Sequence, residues 1–163
     1  NLIEYLLDGV VNHQHCCSKV VGQLNNTFAE KFAIGIIDKD KVELGYIQDC
    51  DEIAKTEHLT LLKHKSRHQY LITISPAVDK FILDSAKDQG VDTEKYNLPS
   101  TLKEFTKLSK SVTSNTDERF KILFAAINGN SEFRALKMAL KCLLDMQYNT
   151  DISELTRIFG SEA

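Results

Sequence analysis

The sequence predicts an α/β fold with a largely parallel sheet, flanking helices and an all-helical C-terminal half. Residues 32–37 form an unbroken apolar run, and two further strand-like runs follow at 58–62 and 69–74. After Gly90 the apolar residues recur at helical spacing up to the C-terminus. Strands gathered before a series of helices favour a sheet on which the helices pack.

Two helices are predicted before the first strand. The first contains apolar residues at helical spacing and ends at Asp8-Gly9: Leu2, Ile3, Leu6, Leu7 and Val10. Ser18 is a candidate N-cap for the second, which contains Val20, Val21, Leu24 and Phe28. The chain starts inside a helical pattern and without Met, so we expect residues upstream of Asn1 to be missing.

The run at 32–37 predicts an interior strand, because six consecutive apolar residues indicate burial on both faces, as in a parallel sheet. The segments 58–62 and 69–74 are expected to pair with each other, with the basic stretch between them exposed. Residues 42–55 show a mixed pattern.

The remaining predicted elements are helices. Ser75-Pro76 places a capping residue before a proline, which predicts a helix over 77–89 that ends at Gly90. Periodicity predicts four later helices, at about 99–112, 117–128, 131–147 and 151–160.

Length and composition predict one domain over residues 1–163, with an α/β part at 1–90 and a helical extension at 91–163 packed on it. The net charge of −3 gives no basic footprint of a nucleic-acid-binding domain, so such binding would need a local patch. No apolar run approaches the roughly 20 residues of a membrane span. We expect a cytoplasmic protein that contacts no membrane.

The cysteines are expected to be reduced thiols, because their positions show no framework spacing: Cys16, Cys17, Cys50 and Cys142. Cys142 should be buried on an apolar helix face with Leu136, Met138 or Leu143. The stretch 12–17 also contains two histidines, His13 and His15, but adjacent cysteines do not readily converge on one tetrahedral zinc ion. Surface histidines beside buried cysteines are the favoured interpretation.

The clearest candidate site is Asp38-Lys39-Asp40, directly after the apolar run. Ligands of open α/β sheets bind at the carboxyl ends of strands. Two carboxylates at this spacing can hold one hard cation, since Mg²⁺ takes one or two protein carboxylates together with waters and phosphates. The alternative is an ordinary turn, in which Asp is common.

The order of elements adds to this signal. Two helices, an apolar strand and then Asp-x-Asp over about residues 1–80 resemble a Toprim domain, the fold shared by topoisomerases, primases and the overcoming-lysogenization-defect nucleases. The resemblance implies Mg²⁺ or Mn²⁺ at Asp38 and Asp40, as catalytic metal ligands for phosphoryl transfer on DNA or RNA. It also implies a Glu at the end of an earlier strand, which this sequence does not contain; Glu4 lies in the following helix. A partner ATPase could meet the helical half.

Asp79 is a further candidate ligand. Some nuclease-like relatives of Toprim domains complete the site with an acidic residue after the next strand, and Asp79 has the matching position. The alternative is that Asp79 only stabilises a helix N-terminus through the dipole.

The basic stretch predicts a nucleic-acid contact through Lys63, Lys65 and Arg67, with His64 and His68 beside them. Such a loop can hold phosphates without reading sequence. An exposed turn whose charges protect a sheet edge is the alternative.

Two other functions stay open at this stage. The missing Glu and the near-neutral charge favour a non-catalytic interaction or regulatory domain with a degenerate Toprim-like fold. A receiver-like phosphoacceptor at Asp38 is disfavoured, because strands and helices stop alternating after Ile74. No phosphate-binding glycine loop is present.

Overall fold

Four strands form one mixed sheet in the order β1-β4-β3-β2. The computed structural model describes residues 2–8, 11–14, 16–39, 44–111 and 117–160. The strands are β1 (Ala33–Asp38), β2 (Cys50–Lys55), β3 (Leu59–His64) and β4 (Gln69–Ile74). The helices are α1 (Leu2–Leu7), α2 (Cys17–Asn25), α3 (Leu44–Gln48), α4 (Val78–Asp88), α5 (Leu102–Ser111), α6 (Glu118–Ala126), α7 (Ser131–Met146) and α8 (Ile152–Gly160).

The α/β class with flanking helices is as predicted, but the sheet is mixed where a largely parallel one was expected. Only the β1–β4 pairing is parallel, while β3 pairs antiparallel with β4 and with β2. The physical reason is the length of the connections. The turns between β2, β3 and β4 are too short for the crossover that parallel neighbours require.

Strand β1 lies at an edge of the described sheet, so the prediction of an interior strand is wrong. Its apolar run does contact core on both faces. Ile34 and Ile36 pack against the larger core cluster, and Ile37 belongs to a smaller one with Val21 and Leu24 of α2. Burial on two faces therefore produced the apolar pattern without a second neighbouring strand.

The predicted pair of strands exists as β3 and β4, joined by the basic turn. All six residues of β4 are buried, because it has a strand on each side and helices on both faces. Strand β2 was missed in the mixed stretch. A register shift between Glu52 and Ala54 breaks its alternation, and it lies at the other edge of the sheet.

The helical half shares its core with the sheet. One buried cluster includes Leu61 and Ile72 of the sheet together with Phe124, Leu140 and Ile158 of three C-terminal helices. Helix α8 lies against β2. Within the described residues, no helix has the length and apolarity needed to cross a membrane.

All four cysteines lie in described segments, and none forms a disulfide. Cys17 is buried and Cys16 is exposed, so only one of this pair matches the expectation of buried cysteines. Cys142 is half-buried beside the core, where Leu136 and Leu143 are buried while Met138 is 46% exposed.

Candidate functional site

Asp38 is the last residue of β1, at the corner of the sheet where two parallel strands end. Its register partner is Ile74, the last residue of β4. Because β1 and β4 run in the same direction, their carboxyl ends meet at one edge. The chain leaves β4 at this edge and enters α4 four residues later.

The carboxylate of Asp38 accepts a hydrogen bond from the first turn of α4. The main-chain N–H of Val78 lies 3.0 Å from Oδ1 of Asp38. Helix N-termini expose N–H groups that have no acceptor within the helix, and the N-cap residue Ala77 supplies no side-chain oxygen. Asp38 therefore takes the capping role predicted for Ser75.

The main chain of Asp38 contacts a second helix start. The thiol of Cys17, the first residue of α2, donates to the carbonyl oxygen of Asp38 at 3.8 Å. The end of β1 and the first turns of α2 and α4 thus converge on one residue.

Asp79 follows Val78 directly and lies in the first turn of α4, half-buried. Asp38 and Asp79 are both predicted ligands, and Asp38 accepts a hydrogen bond from Val78, the residue next to Asp79. Asp40, the third predicted ligand, lies outside the described residues.

The donor set at this corner suits a hard cation in its chemistry. Carboxylate oxygens are preferred ligands of Mg²⁺, which is often bound by one or two protein carboxylates. Across the part of the chain that is described, no group of three or more His, Cys, Asp or Glu side chains could hold a metal ion.

A groove of about 470 Å³ runs along the outer edge of β1 and ends at Asp38 and Val78. Residues 11–14 and α2 also line it, together with Ile34 and Ile36. This groove could not be predicted from the sequence, because it depends on β1 being an edge strand.

Cys16 is an exposed thiol on the wall of this groove. Its sulfur lies 3.1 Å from the hydroxyl oxygen of Ser18. That hydrogen bond, with help from the N–H and the charge of Lys19, lowers the pKa of the Cys16 thiol below its ordinary value. Helix N-termini favour thiolates in the same way.

The basic side chains predicted to bind nucleic acid lie at the opposite end of the strands from Asp38. Their turn precedes Gln69, the register partner of Ala33 at the start of β1. Five residue steps along a strand separate the two ends by about 17 Å.

Each basic side chain of this turn donates to a neutral oxygen. The Lys63 ammonium donates to the carbonyls of His64 and Arg67 at 3.2 and 3.4 Å. Lys65 donates to the carbonyl of Gln48 at 2.8 Å, and the Arg67 guanidinium to Oδ1 of Asn25 at 2.9 Å. These bonds hold the side chains in place without neutralising their charge. Nucleic-acid binding by this turn stays a prediction.

In comparisons with known proteins, no family model matches the chain, and neither the curated proteins nor the solved structures give a significant match.

Proposed function

We propose that this chain carries out Mg²⁺-dependent phosphodiester chemistry on nucleic acid as a Toprim-like domain. Asp38 and Asp40 are the metal ligands in this proposal, and Asp79 is a third ligand, bound directly or through water. Mn²⁺ would serve as well, since it also prefers oxygen ligands. The protein would act in the cytoplasm, where its thiols stay reduced.

The hydrogen bond between Val78 and Asp38 is the observation that supports this proposal most. It links the end of an apolar strand to the helix turn that carries Asp79. Two predicted ligands from distant parts of the sequence thus belong to neighbouring turns, at the sheet edge where ligands of α/β proteins bind.

A bound Mg²⁺ would polarise the phosphoryl oxygen and lower the pKa of an attacking water. The chain's own contribution is to hold the carboxylates. The first-turn N–H of α4 fixes the Asp38 side chain, and the favourable field of a helix N-terminus stabilises its charge.

The basic turn would contact phosphates away from the reacting bond. A separation of about 17 Å along the strands corresponds to roughly five nucleotides of duplex, at a rise of 3.4 Å each. Lys63, Lys65 and Arg67 would therefore add affinity that falls with salt, and no step of the reaction depends on them.

The helical half would be the surface for a protein partner, such as the ATPase that the family resemblance implies. The exposed large apolar side chains among its described residues include Leu102, Ile122, Met138, Leu144, Met146 and Ile152.

A non-catalytic interaction domain is the second candidate, and the same hydrogen bond favours it. A carboxylate that caps a helix is a structural device in its own right. In that case Asp38 would stabilise α4 and bind no metal.

A cleavage assay separates the two functions. The protein is incubated with single- and double-stranded DNA and RNA, with Mg²⁺, with Mn²⁺ or with a chelator. The proposal expects metal-dependent cleavage that Asp38→Asn and Asp40→Asn abolish. Asp51→Asn, which changes an exposed carboxylate on β2, is the matched control and should cleave like the unaltered protein. Metal binding without cleavage of any substrate would favour the interaction domain.

A further inference from the structure

His58 lies buried between two carboxylates from different helices. Its Nδ1 is 2.6 Å from Oε2 of Glu132, at the start of α7, and its Nε2 is 3.0 Å from Oδ2 of Asp84 in α4. The residue is only 8% exposed, so water does not replace these contacts. Its ring also packs against Phe81 of α4, with centroids 5.7 Å apart.

Both carboxylates are held as anions by further donors. Glu132 also accepts hydrogen bonds from the hydroxyl of Thr56 and from the main-chain N–H of His58, the latter at 2.8 Å. Asp84 is paired with the ammonium of Lys80. Burial would raise the pKa of each carboxyl, but these donors together with the His58 ring outweigh it and hold both pKa values below the ordinary range.

Two ionised carboxylates dictate the protonation of the ring between them. An ionised carboxylate only accepts hydrogen bonds, so each ring nitrogen must carry a proton to bond with its partner. Only the imidazolium form has two N–H groups. The charges acting on His58 are those of Glu132 from α7 and Asp84 from α4. With the imidazolium and with Lys80, which is paired with Asp84, they sum to zero.

We propose that His58 is a pH-dependent lock, doubly protonated in the folded protein, which fastens the start of β3 to α4 and α7 and loosens when the ring loses a proton. The proton lost to solvent is the one on Nε2. Asp84 is 24% exposed and keeps Lys80 as a partner, whereas Glu132 is 14% exposed and would keep Nδ1–H. The contact with α4 is therefore the one that opens.

The direction of the pH dependence follows from the contacts. Burial would lower the pKa of His58, but the hydrogen bonds and charges of Glu132 and Asp84 outweigh it and raise the pKa. The lock therefore contributes its full stability below the ordinary histidine pKa of about 6.5, and loses it as pH rises through the raised value.

Nitrogen-15 NMR of the five histidine rings tests this directly, with the His58 signals assigned by their loss in His58→Gln. Below about pH 6 the two nitrogens of His58 should have similar shifts, as in a doubly protonated ring, and they should titrate with a midpoint above about 6.5. A midpoint at or below that ordinary value would overturn the proposal.

Two further measurements use the same samples. Asp84→Asn should move the His58 midpoint to lower pH, while Asp145→Asn, an exposed carboxylate at the far end of α7, should leave it unchanged. Amide hydrogen exchange, corrected for its intrinsic base catalysis, should show less protection in α4 above the midpoint than below it. An unmoved midpoint in Asp84→Asn, or equal protection on both sides, would contradict the lock.

Discussion

The main-chain N–H of Val78 lies 3.0 Å from Oδ1 of Asp38, across forty positions of sequence. One carboxylate thus joins the end of β1 to the first turn of α4. The contact has a structural consequence whether or not a metal binds, and the two roles can be tested separately.

Removing the Asp38 carboxylate should destabilise the fold, while an amide should preserve most of the cap. Asp38→Ala is expected to cost about 1 kcal/mol of unfolding free energy, and Asp38→Asn close to nothing, because Asn caps helices about as well as Asp. Urea unfolding measures both. The exposed control Asp51→Ala should change stability by less than about 0.5 kcal/mol. Equal effects of the two Asp38 variants would contradict the capping role.

Gly35 is expected to be intolerant of a bulky side chain. A Cβ atom there would lie 3.0 Å from methyl carbons of Leu24 and Leu71, where α2 packs closely on β1. Gly35→Val should therefore destabilise the protein by about 1–3 kcal/mol through overpacking.

Gly22 is the matched control, because nothing lies within 4 Å of a Cβ placed there, in the middle of α2. Gly22→Ala should stabilise by up to about 1 kcal/mol. A Gly35→Val protein as stable as the unaltered one would contradict the close packing of α2 on β1 at Gly35.

Cys16 should be the first thiol to react with iodoacetamide. It is exposed and its pKa is lowered, whereas burial, and to a lesser extent the charge of Asp49, raises the pKa of Cys50 to about 11. Mass spectrometry of partially labelled native protein gives the order. Under denaturing, non-reducing conditions all four thiols should react, and labelling of two or fewer would contradict reduced cysteines.

The free energy of unfolding should fall at both high and low pH because of the contacts among His58, Asp84 and Glu132. Above the raised pKa of His58 the imidazolium contribution is lost, and in acid the contributions of Asp84 and Glu132 are lost as pH falls through their lowered values. Unfolding free energies across this range should depend less on pH in His58→Gln. His68→Gln, which changes an exposed histidine of the basic turn, should keep the dependence of the unaltered protein.

Most helices and three of the four described strands could be predicted from the sequence, since each has an apolar face or an apolar run of sufficient length. Strand β2 could not, because its register shift and edge position leave no alternation to detect. The edge position of β1 could not be predicted from the sequence either. A pattern of apolar residues reports which faces are buried and says nothing of what lies alongside the strand.

The sequence indicated Asp38 but not what Asp38 contacts. Ser75 was the expected cap of α4 because it is close in sequence, and the actual cap comes from another strand. The contact between His58 and Glu132 could not be predicted, because no sequence pattern links two residues that are 74 positions apart. The distance between Asp38 and the basic turn likewise depends on strand direction, which single residues do not encode.

Thermal unfolding with and without divalent cations tests the proposed metal site most directly. Adjacent carboxylates repel each other, and a bound cation removes that repulsion. The account predicts that Mg²⁺ or Mn²⁺ raises the melting temperature. At a cation concentration of 100 times the dissociation constant, binding adds about 2.7 kcal/mol to the free energy of unfolding. Asp38→Asn, which keeps the cap, and Asp40→Asn should abolish the rise, and Asp51→Asn should retain it. No stabilisation by cations on the order of millimolar, or an undiminished rise in Asp38→Asn, would contradict it.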